Sequence, residues 1–144
     1  MTFDLAKTAA YATLLLAVPV FAHHSFAMFD PGKLVTLKGA VTQFQWENPH
    51  THIGIDVKQG DGDATTAGSW DVEGASTNIM ARQGWTKISI KPGDKITVVA
   101  HPQKSGGKEV SLFYVVLADG TRLYQDVSRP PDAAAADKPA ALPN

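Results

Sequence analysis

In the long run Leu34–Trp46, which is rich in β-branched residues, the apolar side chains switch midway from odd to even positions. Val35 and Leu37 share one face of an extended chain, whereas Phe44 and the closing tryptophan have the opposite parity. Gly39 stands at the change, and glycine inside a strand often marks a bulge or a sharp bend. The run therefore predicts one long strand that is bent near its middle.

Five shorter strand patterns follow this run. They cover His50–Lys58, Ser69–Gly74, Lys95–His101, Val110–Leu117 and Arg122–Gln125. The first of them alternates strictly, which places its histidines on the face opposite its apolar residues. A short helix is predicted over Asn78–Gln83, with Ser76 as its N-cap and Gly84 as its stop. Ile79, Met80 and Trp85 are expected to plug one end of the sheet.

The order of these elements is β-β-β-α-β-β, with a long, bent first strand and a short sixth strand at the end. That order is typical of the oligonucleotide/oligosaccharide-binding (OB) barrel, a small Greek-key barrel of five strands. We therefore predict an all-β, OB-like barrel of five to six strands with one short helix. The alternative is an open β-sandwich, which short strand patterns do not separate from a barrel.

The two ends of the chain differ from this body. Lys7 and the apolar run Tyr11–Phe21, followed by Ala22, predict a secretory signal peptide over residues 1–22. Residues 23–33 then form an N-terminal arm, residues 34–127 the barrel, and residues 128–144 a disordered tail rich in Pro and Ala. We expect a periplasmic or secreted protein that is not embedded in a membrane once processed.

Composition excludes several classes of site. The chain has no cysteine, which rules out disulfides, thiolate metal sites and cysteine nucleophiles. Its net charge of −1 gives no electrostatic argument for binding nucleic acid. No nucleophile elbow, zinc-protease helix or phosphate-binding loop is present, so binding is favoured over catalysis.

Several short motifs resemble a family of small secreted bacterial proteins, mostly from proteobacteria, whose function is unknown. The motifs are His23–Asp30 (HHSFAMFD), Phe44–His50 (FQWENPH), Glu73-Gly74, Ala81–Trp85 (ARQGW) and Lys91–Asp94 (KPGD). The resemblance covers roughly residues 22 to 124. It implies secretion and a small β domain, and it implies no catalytic residue.

Histidine is the residue type that points most directly to a metal. If the signal peptide is cut after Ala22, His23 becomes the N-terminal residue and offers both its amine and its ring nitrogen. His24 offers a competing mode through the amine and the intervening backbone amide, and a cut after Phe21 would place a histidine third. Cu(II) favours nitrogen ligands in a tetragonal plane, so copper is the predicted metal. His50, His52 and His101 are the candidates for the remaining ligands.

The second predicted strand places His50 and His52 on one face. If it forms a hairpin with the third strand, Asp71 or Glu73 becomes a cross-strand neighbour of that face. A carboxylate in that position orients a ligating imidazole. The same residues are also consistent with half-exposed histidines that have no metal.

A ligand face is the other candidate site. In OB barrels, the loop after the first strand and the loop between the fourth and fifth strands flank the binding surface. Trp46, Asn48 and Glu73 are the residues assigned to this face. The sequence thus supports a periplasmic copper-binding protein with an N-terminal histidine chelate. The alternative is a metal-free accessory module that binds a small ligand or a protein partner.

Overall fold

A computed structural model describes residues 26–59 and 66–126 of the chain. The predicted signal peptide, the histidines His23 and His24, and the predicted tail at 128–144 lie outside the described residues. A single 3-10 turn, Phe26–Met28, precedes the strands in the described part. In that part, no helix is long and apolar enough to cross a membrane.

The described residues form strands with one short helix between the third and fourth. The strands are β1 (Val35–Gln45), β2 (His52–Val57), β3 (Gly68–Glu73), β4 (Lys95–Pro102), β5 (Glu109–Val116) and β6 (Arg122–Tyr124), and the helix is α1 (Thr77–Arg82). Each predicted element is present, with its ends shifted by at most two residues. The predicted element order is confirmed.

The sheet closes on itself. Its order is β3-β2-β1-β4-β5-β6, and a parallel pairing of β3 with β5 joins the two sides. Strands β1 to β5 thereby form a closed barrel, with β6 added antiparallel to β5. The OB-like barrel is confirmed, and the closure rules out the open sandwich, whose two sheets would have free edges.

The long first strand serves both sides of the barrel. Its first half pairs with β4 and its second half with β2. The register shifts between Val41 and Gln43, so the bulge lies there and not at Gly39, the position predicted from the sequence. Gly39 has another role: a Cβ there would lie 2.6 Å from the carbonyl oxygen of Asp56, so the bent strands approach too closely for a side chain.

The core fills the barrel and its helix-capped end. Ile53, Ile55 and Val57 of β2 are at most 2% exposed, which confirms the alternation read from the sequence. Met80 and Trp85 are also buried and plug one end, as predicted. Ile79 is 42% exposed, so its assignment to the plug was wrong. The α1 turn directs its neighbour Met80 inward, and Ile79 one position earlier faces away from the barrel.

Candidate functional site

The loop between β1 and β2 carries His50, and hydrogen bonds hold it on both sides of that residue. Asn48 Oδ1 accepts hydrogen bonds from the Thr77 backbone N–H (3.1 Å) and hydroxyl (2.9 Å) at the start of α1. Thr51 is fully buried, and its hydroxyl donates to the carbonyl of Ala75 at 3.2 Å. His50 therefore lies between two residues, Asn48 and Thr51, that are each hydrogen-bonded to the segment leading into α1.

Gly74 allows this segment to lie against the loop. Its N–H donates to the carbonyl of Thr51 at 2.8 Å. A Cβ on Gly74 would collide with the Thr51 hydroxyl and would lie 2.9 Å from the Met80 sulfur. The glycine of the Glu73-Gly74 motif is thus required by packing, and it places Glu73 beside His50.

Each of the two neighbouring histidines is paired with a carboxylate. His50 Nδ1 contacts Glu73 Oε1, and His52 Nδ1 lies 2.9 Å from Asp71 Oδ2. The β2–β3 hairpin that brings them together was an expectation from the sequence and is confirmed. Both pairs engage Nδ1, which leaves Nε2 as the other nitrogen of each ring. This is the arrangement in which a carboxylate orients an imidazole for a metal.

The pairs differ in their exposure to solvent. The Glu73 side chain is only 9% exposed, whereas that of Asp71 is 42% exposed. The His50 ring contacts the Glu73 carboxylate and helps to cover it. A buried carboxylate needs polar partners, and the His50 ring is one of them. The His50–Glu73 pair is therefore the more rigidly held of the two.

Both histidines and Glu73, but not Asp71, border one open cavity of about 400 Å³. Its lining is mostly polar and includes Gln45, Glu47, Asn48, His50, His52 and Glu73. Asn48 and Glu73 of the predicted ligand face therefore belong to the same place as two predicted metal ligands. Trp46 is instead packed against the core cluster, with its ring centroid 5.8 Å from that of Phe44.

The described part of the N-terminal arm is bound to the barrel. Phe29 is 2% exposed and pairs with Gln103 in an isolated β-bridge. The Lys104 ammonium donates to the carbonyl of Ala27 at 2.9 Å. The arm thus follows the β4–β5 loop. At its first described residue, Phe26, the ring centroid lies 6.4 Å from that of His50.

A tight turn completes the arm. The Lys33 ammonium lies 3.2 Å from an Asp30 carboxylate oxygen, and the Gly32 N–H donates to the other at 3.0 Å. The side-chain hydrogen bond from Lys33, followed by the one from the Gly32 N–H, lowers the pKa of Asp30 below its usual value of 3.8. Asp30 therefore stays charged and keeps the turn closed.

His101 lies apart from the other two described histidines. Its Nδ1 is 2.9 Å from the carbonyl oxygen of Lys33, and its ring borders a different, mainly apolar cavity next to Phe113. Within residues 26–59 and 66–126, no group of three or more His, Asp or Glu side chains converges on one metal position. The structure thus brings together His50 and His52, and His101 has a separate environment.

Two residues near the histidines were missed from the sequence. Gln45 and Glu47 line the cavity because β1 ends beside it, and their positions in the motif FQWENPH are the signal that was available. Phe26 was assigned only to the N-terminal arm at residues 23–33. Its position beside His50 depends on contacts between the arm and the β4–β5 loop, which a sequence pattern does not reveal.

The family of the chain follows from a comparison with known protein families. A family model matches residues 12–111. The chain belongs to DUF6152, a family of unknown function. The match includes every histidine of this DUF6152 chain and both carboxylates that pair with His50 and His52.

Other comparisons add little to the DUF6152 assignment. No curated protein matches the chain. Among solved structures, the chain is similar to a crystal structure of the ZRD-deleted mutant of TiaS in complex with agmatine, with 16% identity and a TM-score of 0.42. The alignment covers 67% of the DUF6152 chain and only 23% of the other chain. A likeness this distant carries no functional argument.

Proposed function

We propose that this protein is a secreted, periplasmic copper-binding protein. The observation that carries the proposal is the pair of imidazoles, His50 and His52, each oriented through Nδ1 by a carboxylate at the edge of one polar cavity. Metal-binding histidines commonly donate their second ring N–H to a carboxylate in this way. Two oriented imidazoles are half of a tetragonal nitrogen set for Cu(II).

The other half is assigned to the start of the mature chain. Phe26 lies beside His50, and an extended chain spans at most about 3.6 Å per residue. His24 and His23 stand two and three residues before Phe26, so their Cα atoms lie within about 7 Å and 11 Å of its Cα. These limits keep both histidines close to Phe26, which itself lies beside His50.

The ligand chemistry favours copper over calcium or magnesium. The candidate donors are nitrogens, whereas Ca²⁺ and Mg²⁺ prefer oxygen ligands. Glu73 and Asp71 contribute by orienting the rings, since each already engages a histidine nitrogen. With no cysteine in the chain, a thiolate site for Cu(I) is excluded.

The first experiment determines the mature N-terminus of the natively secreted protein by mass spectrometry, then titrates that protein with Cu(II). We expect His23 as the first residue and one Cu(II) per chain with a nitrogen-rich, tetragonal electron paramagnetic resonance spectrum. A matched protein whose N-terminal amine is acetylated should bind copper much more weakly, because the amine is then no longer a ligand. A mature terminus elsewhere, or uptake unaffected by the acetylation, contradicts the N-terminal chelate.

A second experiment tests the contribution of the barrel. The double variant His50→Ala/His52→Ala should bind copper more weakly and lose ring-nitrogen couplings from the spectrum. His101→Ala is the matched control, because His101 lies beside the other cavity, and it should behave like the wild type. If the double variant binds as well as the wild type, only a terminal chelate remains and the assembled site is wrong.

A metal-free accessory module is the second candidate function. The polar lining of the 400 Å³ cavity, with an amide and a carboxylate next to the histidines, is what favours it. Such a site would take a small polar ligand through hydrogen bonds rather than through a metal. Absence of specific Cu(II) uptake by the correctly processed protein would favour this candidate over the first.

A further inference from the structure

A second cavity, which Phe26 also lines, lies between the N-terminal arm, strands β4 and β5, and the residues that follow β6. It has a volume of about 320 Å³ and a mainly apolar lining that includes Phe26, Phe29, Leu112 and Phe113. It contains neither His50 nor His52, so it is separate from the proposed copper site. Its volume is at the small end of the range for ligand sites, about 300–1,000 Å³.

One residue that lines this cavity carries a buried side-chain oxygen without a hydrogen-bond donor in the described part of the chain. Gln125 lines it and is 7% exposed, and its Oε1 has no hydrogen-bond partner within residues 26–59 and 66–126. The Gln125 backbone N–H donates to the carbonyl of Phe113 at 3.1 Å, which fixes the residue next to β5. A buried amide oxygen without a donor is unfavourable, so a ligand donor that this oxygen meets after a small rotation of the Gln125 amide toward the cavity would be stabilised.

The walls of the cavity specify the rest of the ligand. The His101 and Phe113 rings both line the cavity, and their centroids are 5.7 Å apart. Aromatic walls of this kind pack well against a planar ring in offset or edge-to-face geometry. The volume allows one or two fused rings.

We propose that this cavity binds a small, planar aromatic molecule that carries one N–H or O–H donor, with the donor bonded to Gln125 Oε1. The aromatic body fills the space between Phe29 and Phe113, and the donor supplies the missing partner of Gln125. The site is independent of copper, because its lining omits the two carboxylate-paired histidines.

The test compares two probes of the same shape on the full-length mature protein. Indole has an N–H donor, and indene has a CH₂ group in its place. Titration of ¹⁵N-labelled protein should give saturable amide shifts around Ser111, Phe113 and Gln125. Indole should bind at least about tenfold more tightly than indene, because only indole satisfies the amide oxygen.

Two variants isolate the role of the amide. Gln125→Leu should remove the preference and bind the two probes within about twofold of each other. Gln83→Leu, the same substitution at the end of α1 and outside the cavity, should keep it. The comparison of the two probes on the wild type stands even if Gln125→Leu does not fold. Equal affinity of the two probes for the wild type, or no saturable shift at the cavity, overturns the proposal.

Discussion

The cap that Asn48 provides for α1 allows a quantitative test of how the His50 loop is held. The predicted N-cap, Ser76, makes no side-chain capping hydrogen bond in the described part of the chain. Asn48 Oδ1 instead accepts two hydrogen bonds from Thr77, at 3.1 and 2.9 Å. Asn48→Ala removes both bonds and leaves the start of the helix uncapped.

The expected effect follows from the two bonds. Loss of a helix cap typically costs about 1 kcal/mol, within a range of about 0.5–2 kcal/mol. The second bond, to the Thr77 hydroxyl, adds about 0.5 kcal/mol because both partners are exposed and water replaces Asn48. The sum is about 1.5 kcal/mol, which corresponds to a fall in Tm of roughly 6–12 °C for a domain of this size.

Two matched variants divide this effect. Thr77→Val keeps the backbone N–H bond and removes only the hydroxyl bond, so it should cost about 0.5 kcal/mol. Asn48→Asp keeps an acceptor oxygen next to the positive end of α1 and should lie within about 0.5 kcal/mol of the wild type.

The assay is urea unfolding followed by tryptophan fluorescence, with the buried Trp85 close to α1 as the reporter. An Asn48→Ala protein as stable as the wild type refutes the argument. A Thr77→Val protein that loses as much stability as Asn48→Ala also refutes it, since the backbone bond would then contribute nothing.

Three further outcomes are expected. Gly74→Ala should destabilise the protein by about 1–3 kcal/mol in urea unfolding, because its Cβ would collide with the Thr51 hydroxyl and the Met80 sulfur. The hydrogen bond from the Lys91 backbone N–H, more than the one from its ammonium, lowers the pKa of Asp94 below 3.8. The stability that Asp94 contributes is therefore present above about pH 4 and is lost as the pH falls through the lowered pKa. Asp94→Asn should lower the urea midpoint near neutral pH and leave it unchanged at the acid end. Glu73→Gln should weaken Cu(II) binding by about 10–100-fold in a competition titration, as expected when a carboxylate that orients a ligand is neutralised. An unchanged copper affinity would mean that this carboxylate does not serve the metal site.

The barrel was predictable because its signals are local. Period-two alternation identified β2, and the parity change in β1 showed that this strand is bent. The position of the bend was not predictable, because the pattern locates a change of parity only between Leu37 and Phe44. Pairing with β2 and β4 decides it, and the extra residue then falls between Val41 and Gln43.

The site was predictable only in part, because its contacts join distant segments. The cap on α1 comes from Asn48, far from Thr77 in the chain, whereas sequence rules look for a cap in the adjacent residue. His101 was grouped with the other histidines by residue type alone. Its strand end is next to the arm, where its ring contacts the Lys33 carbonyl.

The placement of the two paired histidines follows from the core rather than from the histidines themselves. Burial of Ile53 and Ile55 fixes which face of β2 points inward, and a slip of one residue would move every side chain to the other face. In the observed register, His52 stands opposite Glu73. The side-chain contacts do not follow this register: Glu73 contacts His50, and Asp71 contacts His52. Glu73 reaches back to His50 because Asn48 and Thr51 hold the loop over the end of β3, which leaves His52 to Asp71. The apolar face of β2 and the anchored loop therefore together set the spacing of the two imidazoles and the two carboxylates. A variant that weakens the packing of that face or the anchoring of that loop should disturb both histidine–carboxylate pairs at once.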